Sequence, residues 1–183
     1  MNVSKIVARG IKSPCSVFSR YFQNSSANMV QVGDAVPSVD LYEDVPTNKV
    51  NLAKLSSGKK IILFAVPGAF TPGCSKTHLP GYVKKADDLK SQGIDEIVCV
   101  SVNDPFVMAA WGRDQNTAGK IRLLADPSAA LAKALDLSVD IAPLGGVRSK
   151  RYSMVIADGK IESLQVEPDG TGLSCSLAEA IKL

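Results

Sequence analysis

Five short apolar runs along this chain carry the pattern expected of β-strands. The first three are uninterrupted, which is typical of strands buried on both faces of a parallel sheet. The last two flank Asp158-Gly159, a strong signal for a tight turn and therefore for an antiparallel hairpin. In chain order the runs are 59–66, 96–102, 122–125, 152–157 and 160–166.

The segments between these runs predict helices. One helix is expected from Ser75 to Gln92, with Pro80-Gly81 kinking or interrupting it. Asn103-Asp104-Pro105 supplies a cap and a first-position proline for a second helix, which continues to about residue 115. Further helices are predicted from Asp126-Pro127 onwards and over 177–182.

Strands that alternate with helices indicate an α/β protein. The early alternation predicts parallel strands, and the late hairpin adds antiparallel ones. The expected architecture is a mixed central β-sheet flanked by helices on both faces, and the thioredoxin fold is one such arrangement. The length, 183 residues, suits one globular domain, which we place at residues 30–183.

Positive charge is concentrated at the start of the chain. The first 33 residues contain four basic and no acidic side chains, so they count +4, while the other 17 basic and 18 acidic residues give −1. The domain is therefore near neutral and lacks the basic balance of a nucleic-acid-binding protein. No apolar stretch reaches the roughly 18 residues that a membrane-spanning helix needs.

The basic, Ser-rich, acid-free leader is typical of a mitochondrial transit peptide, which we predict over residues 1–29. Cleavage is expected between Tyr21 and Met29. A disordered basic tail is the alternative, and Met29 is a candidate internal start that would give a leaderless, cytoplasmic form. The C-terminal Ile-Lys-Leu is close to the peroxisomal Ser-Lys-Leu signal but lacks its small first residue.

The cysteines favour reactive thiols over a structural disulfide framework. Of the four, Cys15 lies in the leader, and Cys74, Cys99 and Cys175 remain. An odd number in a reducing-type context argues against structural pairing. Cys99 lies inside a predicted strand and is most simply a core residue.

Cys74 is the most informative of these residues, because it lies where a buried strand joins a helix. Backbone N–H groups are unpaired at the first turn of a helix and the helix dipole is positive there, so both favour thiolate over thiol. Thr71 and Thr77 occupy the positions three residues to either side, which excludes a Cys-x-x-Cys motif. A thiolate beside a hydroxyl and an arginine suits attack on a peroxide, giving a sulfenic acid that a second thiol such as Cys175 can resolve.

Two rival chemistries use the single histidine. His78 follows Cys74 by four residues on the same predicted helix face, so a Cys–His thiol hydrolase is one alternative. A zinc module would need Cys74, His78 and Cys175 together, which is a sparse ligand set. A redox-sensing interaction protein would use the same oxidised cysteine.

Several blocks resemble the peroxiredoxins, and most closely their atypical two-cysteine type-five branch. The core is Pro-x-x-x-Thr-x-x-Cys, here Pro67 to Cys74, and the likeness spans about residues 30–183. The loop at 142–146 looks shorter than is usual for that branch. The matching blocks are residues 67–80, 101–107, 122–127, 150–154 and 166–177.

The resemblance implies a role for each site residue. Cys74 would be the peroxidatic thiolate, and Cys175 would resolve it through an intramolecular disulfide. Thr71 would hydrogen-bond the sulfur and the peroxide, and Arg151 would be the active-site arginine, although Arg148 and Lys150 compete for that role on sequence grounds alone. Pro67 and Gly73 would complete the peroxide-binding loop.

The resemblance also implies partners. Hydroperoxides would be the substrates and thioredoxin the reductant, with no metal or organic cofactor. The expected assembly is a monomer or a weak homodimer.

Overall fold

The computed structural model describes residues 29–183. The transit peptide predicted over residues 1–29 lies outside the described residues except for Met29. No helix among the described residues is long and apolar enough to cross a membrane.

The fold is built on a seven-stranded mixed sheet. The strands are β1 (Asp40–Glu43), β2 (Lys49–Asn51), β3 (Lys60–Val66), β4 (Glu96–Ser101), β5 (Arg122–Ala125), β6 (Ser138–Ile141), β7 (Gly146–Ser149), β8 (Tyr152–Ala157) and β9 (Lys160–Val166). The strand order of the main sheet is β2-β1-β5-β4-β3-β8-β9, and β6 and β7 form a separate two-stranded ribbon. The helices are α1 (Leu52–Ser56), a π-helical turn (Cys74–His78), α2 (Leu79–Ser91), α3 (Pro105–Asp114), α4 (Ala130–Ala134) and a 3₁₀ turn (Ala142–Leu144).

The centre of the sheet follows the predicted pattern. Strands β3, β4 and β5 are parallel, and β8 and β9 form the antiparallel hairpin that Asp158-Gly159 indicated. Because β8 pairs antiparallel with β3, with Ala65 opposite Tyr152, the start of β8 lies beside the carboxyl end of β3. Arg151 directly precedes β8 and therefore lies at that edge.

Helices cover both faces of the sheet, as expected for the thioredoxin fold. Alternate residues of β3 point to opposite sides, so Ile62 and Phe64 join the core beneath α2 and α3. Ile61 and Leu63 join a second core that includes α1 and α4. All four side chains are fully buried, which explains the uninterrupted apolar run.

Two predicted helices are wrong in extent. The helix expected from Asp126-Pro127 begins only at Ala130, because Ala129 is left-handed and the Asp126 carboxylate accepts the N–H groups of the first helical residues. The helix expected over 177–182 is a single turn, closed by the Ala180 N–H on the Leu177 carbonyl. Its apolar residues Ala178 and Ile181 pack against the core without a helix.

The break expected at Pro80-Gly81 takes the form of a change of helix type. The chain is π-helical to His78, where the Leu79 N–H bonds the Cys74 carbonyl, and the α-helix then begins with Pro80 in its first turn. Proline is tolerated there because its missing N–H would have no partner.

Candidate active site

Cys74 lies at the strand-to-helix joint that the sequence predicted. The chain leaves β3 at Val66, passes through the loop 67–71, becomes helical at Pro72 and enters the π-helical turn at Cys74, whose side chain is fully buried. The Ser75 N–H donates to the Thr71 carbonyl at 2.9 Å, a helical backbone hydrogen bond that spans Cys74. A π-helical turn is rare in proteins and occurs frequently at functional sites.

Arg151 is the basic residue that reaches this sulfur. Its Nη1 donates to Cys74 Sγ at 3.4 Å, and its Nε donates to the Thr171 carbonyl at 3.0 Å. Arg151 is 4% exposed, so its charge acts on the thiol without much screening by water.

Arg148 and Lys150, the two basic residues that compete with Arg151 for this role on sequence grounds, make other contacts. Arg148 donates to the Val102 carbonyl at 2.6 Å and also bonds the Leu144 carbonyl, which ties the ribbon β6–β7 to the end of β4. The stem of Lys150 packs against Gly170. The geometry therefore separates Arg151 from the neighbours with which sequence alone left it in competition.

His78 is buried and held at both ring nitrogens. Nδ1 lies 3.1 Å from Arg151 Nη1, and Nε2 lies 3.0 Å from the Ser176 carbonyl. A guanidinium can only donate, so Nδ1 is the acceptor and the ring proton is on Nε2. Burial, together with the Arg151 charge, lowers the pKa of His78 to about 4, although the bond to Ser176 opposes this.

This arrangement disfavours the rival chemistries. A hydrolase needs a histidine base for the thiol, but the free lone pair of His78 is taken by Arg151. Within residues 29–183, no group of three His, Cys, Asp or Glu side chains is placed to hold a metal ion, so Cys74, His78 and Cys175 do not form the zinc cluster considered above.

Pro67, Thr71 and Gly73 belong to the segment that leads from β3 to Cys74. The Thr71 hydroxyl donates to the Gly68 carbonyl at 3.0 Å, which leaves its lone pairs as acceptors. Pro67 is buried at the end of β3. A Cβ on Gly73 would lie 3.2 Å from Leu173 and 3.4 Å from Arg151 Nη2, so glycine permits the close approach of the guanidinium.

Asn103 anchors this loop, a role that its position in a predicted cap did not reveal. Its Oδ1 accepts from the Ala69 N–H at 3.0 Å and from the Ser101 hydroxyl at 2.8 Å. The carboxyl ends of β3 and β4 are thereby joined, which fixes the loop that carries Thr71. The helix cap itself is Asp104, which accepts from Val107.

Cys175 is half-buried in the last loop and is not bonded to Cys74. Both are free thiols, and Cys175 Sγ lies 3.4 Å from the Val166 carbonyl. Burial and the nearby Glu167 carboxylate raise the pKa of Cys175. Cys99 is a buried core residue, as predicted, and burial raises its pKa well above the ordinary value.

Glu167 organises the loop that contains Cys175, and the sequence analysis missed it. Its carboxylate accepts the backbone N–H and the hydroxyl of both Ser174 and Ser176, at 2.6–2.9 Å. The one available signal was the Ser-Cys-Ser alternation, which places one hydroxyl on each side of the thiol.

A buried thiol at a strand-to-helix joint, with a guanidinium donating to it, defines a thioredoxin-fold thiol enzyme. Residues 31–181 match the family model described as Redoxin. The chain is 41% identical over 157 residues to Peroxiredoxin-2B of Arabidopsis thaliana, a match that covers 84% of this chain and 97% of the relative. The chain belongs to the Redoxin family and is a peroxiredoxin, a thiol peroxidase.

Solved structures agree with this assignment. Reduced Prx3 of Vibrio vulnificus, solved in complex with hydrogen peroxide, matches with a TM-score of 0.78 and 47% identity over 83% of this chain and 97% of that one. Peroxiredoxin 5 of Alvinella pompejana matches with a TM-score of 0.72 and 46% identity, covering 80% of this chain and 95% of that chain. Both the fold and the resemblance to the type-five branch are therefore confirmed.

Proposed function

We propose that Cys74 is the peroxidatic residue of this peroxidase and that it reduces hydrogen peroxide and organic hydroperoxides, with peroxynitrite as a further candidate substrate. The observation that carries the proposal is the 3.4 Å contact between Arg151 Nη1 and Cys74 Sγ. A guanidinium keeps its proton at all working pH values, so it can stabilise negative charge on the sulfur and on an oxygen beside it.

The first step transfers one oxygen to the sulfur. The Cys74 thiolate attacks one peroxide oxygen, the O–O bond breaks, and the other oxygen leaves as hydroxide or alkoxide and takes up a proton. Negative charge moves from sulfur to the leaving oxygen, and the fixed donors of Arg151 stabilise that movement. The Thr71 hydroxyl donates its own hydrogen to the Gly68 carbonyl, so its oxygen can accept a hydrogen bond from the peroxide O–H.

The second step uses Cys175. Its thiol attacks the Cys74 sulfenic acid, an S–S bond forms and water leaves. Each sulfur has its own partner in the reduced protein, Arg151 for Cys74 and the Val166 carbonyl for Cys175, and Cys175 gives up its contact when the S–S bond forms.

Thiol–disulfide exchange with thioredoxin would then restore both thiols. The proposed assembly remains a monomer or a weak homodimer. The leader at residues 1–29 would direct the protein to mitochondria, because it is basic, rich in serine and free of acids. A fusion of residues 1–33 to a fluorescent protein tests this directly, since a fusion that stays in the cytosol would exclude import by this segment.

Two substitutions test the assignment of the thiols. Cys74→Ser is expected to abolish peroxide reduction. Cys175→Ser should keep the first turnover but lose recycling by thioredoxin. Cys99→Ser is the matched control and should retain the activity of the wild type; full steady-state activity of Cys175→Ser with thioredoxin would remove Cys175 from the mechanism.

A further inference from the structure

The segment around Cys175 is fixed by one buried carboxylate. Glu167 Oε1 accepts from the Ser174 N–H at 2.8 Å, the Ser176 N–H at 2.9 Å and the Ser176 hydroxyl at 2.7 Å. Glu167 Oε2 accepts from the Ser174 hydroxyl at 2.6 Å. Glu167 is 1% exposed. We call Glu167, Ser174 and Ser176 the latch.

The charge of Glu167 makes these four bonds strong. Burial raises the pKa of the carboxyl, but the bonds from Ser174 and Ser176 outweigh it and lower the pKa to about 2. The carboxylate is therefore ionised at every pH at which the enzyme works. Hydrogen bonds to a charged acceptor are roughly twice as strong as neutral ones.

The latch is also connected to the π-helical turn Cys74–His78 and to α2. The Ser176 carbonyl accepts from His78 Nε2 at 3.0 Å and from the Tyr82 hydroxyl at 2.9 Å. His78 ends the π-helical turn that begins at Cys74, and its other nitrogen accepts from Arg151. Unwinding of that turn would break the His78–Ser176 bond. This contact therefore couples the conformation of the Cys74 turn to that of the segment that contains Cys175.

The latched conformation keeps Cys175 out of the reaction. Its sulfur lies against the Val166 carbonyl rather than against Cys74. The residues on either side of it are both held by Glu167, so movement of the thiol away from this position strains or breaks bonds of the latch. The latch therefore opposes the approach of Cys175 to Cys74.

We propose that Glu167 is a positioning residue whose latch sets the rate at which Cys175 reaches the Cys74 sulfenic acid. The inference rests on the proposed roles of Cys74 and Cys175. While the latch is closed, the sulfenic acid can react with a second hydroperoxide, which gives a sulfinic acid and the corresponding alcohol or water. The latch thus sets the division between disulfide and over-oxidised enzyme.

Glu167→Gln tests the proposal, because it preserves size, removes the charge and replaces one of the two acceptor oxygens with an NH2 group that cannot accept from Ser174 or Ser176. Glu162→Gln is the control, since Glu162 lies on β9, which ends one residue before Glu167, and pairs with Lys60 on the surface. Rapid mixing with one equivalent of hydrogen peroxide, followed by acid quenching and mass analysis, separates sulfenic acid formation from disulfide formation. Hydrogen exchange of the Ser174 and Ser176 amides reports the opening itself.

In Glu167→Gln we expect sulfenic acid formation within twofold of the wild type and disulfide formation about tenfold faster, from the loss of charge-assisted hydrogen bonds. The two serine amides should exchange faster, and the peroxide concentration that over-oxidises half of Cys74 should rise in proportion. Glu162→Gln should match the wild type in every respect. Ser174→Ala removes only the hydroxyl that donates to Glu167, so it should accelerate disulfide formation by a smaller factor than Glu167→Gln. It provides the test if Glu167→Gln does not fold.

An unchanged or slower second step in the variants that fold would overturn the latch. A different result would overturn the proposed function instead: wild-type enzyme that consumes peroxide without linking Cys74 to Cys175. The two failures are distinguishable, because the second is seen in the wild type before any latch variant is measured.

Discussion

Arg151 Nη1 is within hydrogen-bonding distance of two groups at once, Cys74 Sγ at 3.4 Å and His78 Nδ1 at 3.1 Å. The contact with His78 fixes the neutral tautomer of the imidazole and holds the guanidinium against the sulfur. One arginine thereby links the Cys74 thiol to the buried His78, so its replacement should affect both the chemistry of the thiol and the packing around it.

Replacing Arg151 should slow the reaction with peroxide. Arg151→Ala removes the donor and its charge, and we expect kcat/KM for hydrogen peroxide to fall about 10²–10³-fold, the range for one preorganised transition-state donor. Arg151→Lys keeps the charge but not the planar pair of guanidinium donors, so its kcat/KM should lie between those of the wild type and Arg151→Ala. The second-order rate constant of thiol consumption measures this.

Lys150→Met is the matched control, because it retains the stem that packs on Gly170 and removes the neighbouring charge. It should react at close to the wild-type rate. If Lys150→Met is impaired as strongly as Arg151→Ala, the effect belongs to the general charge of this strand end and not to the contact with Cys74.

The Thr71 hydroxyl should matter for peroxide more than for stability. Thr71→Val removes the hydroxyl but keeps the shape of the side chain. The loss of one hydrogen bond to the peroxide predicts a fall of about 5- to 100-fold in kcat/KM. Thr71→Ser should recover most of the rate. Equal rates for Val and Thr in a peroxide-reduction assay would exclude the hydroxyl from the reaction.

His78 should make the folded protein sensitive to mild acid. Its pKa is about 4 when folded and 6.5 in the unfolded chain, so between these values the unfolded state binds a proton that the folded state does not. Stability is therefore lost as the pH falls from about 6.5 to 4. Between pH 7.5 and 4.5 this contribution is about 2–3 kcal/mol.

His78→Gln supplies the comparison, since an amide can also accept from Arg151 and donate to Ser176 without titrating. Urea unfolding at the two pH values should show a smaller loss of unfolding free energy in this variant than in the wild type. The same loss in both proteins would mean that other groups produce the acid sensitivity.

The single tryptophan should report the peroxidatic turn. Trp111 is buried, and its Nε1 donates to the Ser75 hydroxyl at 3.0 Å, one residue from Cys74. If the turn unwinds when the disulfide forms, Trp111 loses this partner and its emission should shift to the red. The shift should follow peroxide addition in the wild type and be absent in Cys74→Ser; an unshifted spectrum of the fully oxidised wild type would show that the turn stays folded.

The sequence predicted the central strands and the place of Cys74 because local chemistry decides both. An apolar run marks a buried strand, and prolines and glycines mark the joint after β3. The β1–β2 hairpin and the ribbon β6–β7 escaped because their strands are short and half-exposed, so they show no strong alternation.

The parts that sequence could not supply depend on contacts between distant segments. Arg151 is distinguished from Arg148 only because β8 pairs with β3, and that register brings residue 151 to the thiol. Glu167 looks like an ordinary loop acid until the chain returns to place Ser174 and Ser176 around it. The last helix failed to form because tertiary packing and the Gln165–Ala180 contact hold that segment instead.

The most direct test of the account is the fate of the cysteines after one equivalent of hydrogen peroxide. Intact-mass analysis and peptide mapping of the wild type should show the loss of two hydrogen atoms per chain, a Cys74–Cys175 crosslink within one chain and an unmodified Cys99. A Cys74 that remains free and alkylatable while peroxide is consumed, or a crosslink that joins other cysteines, would contradict it.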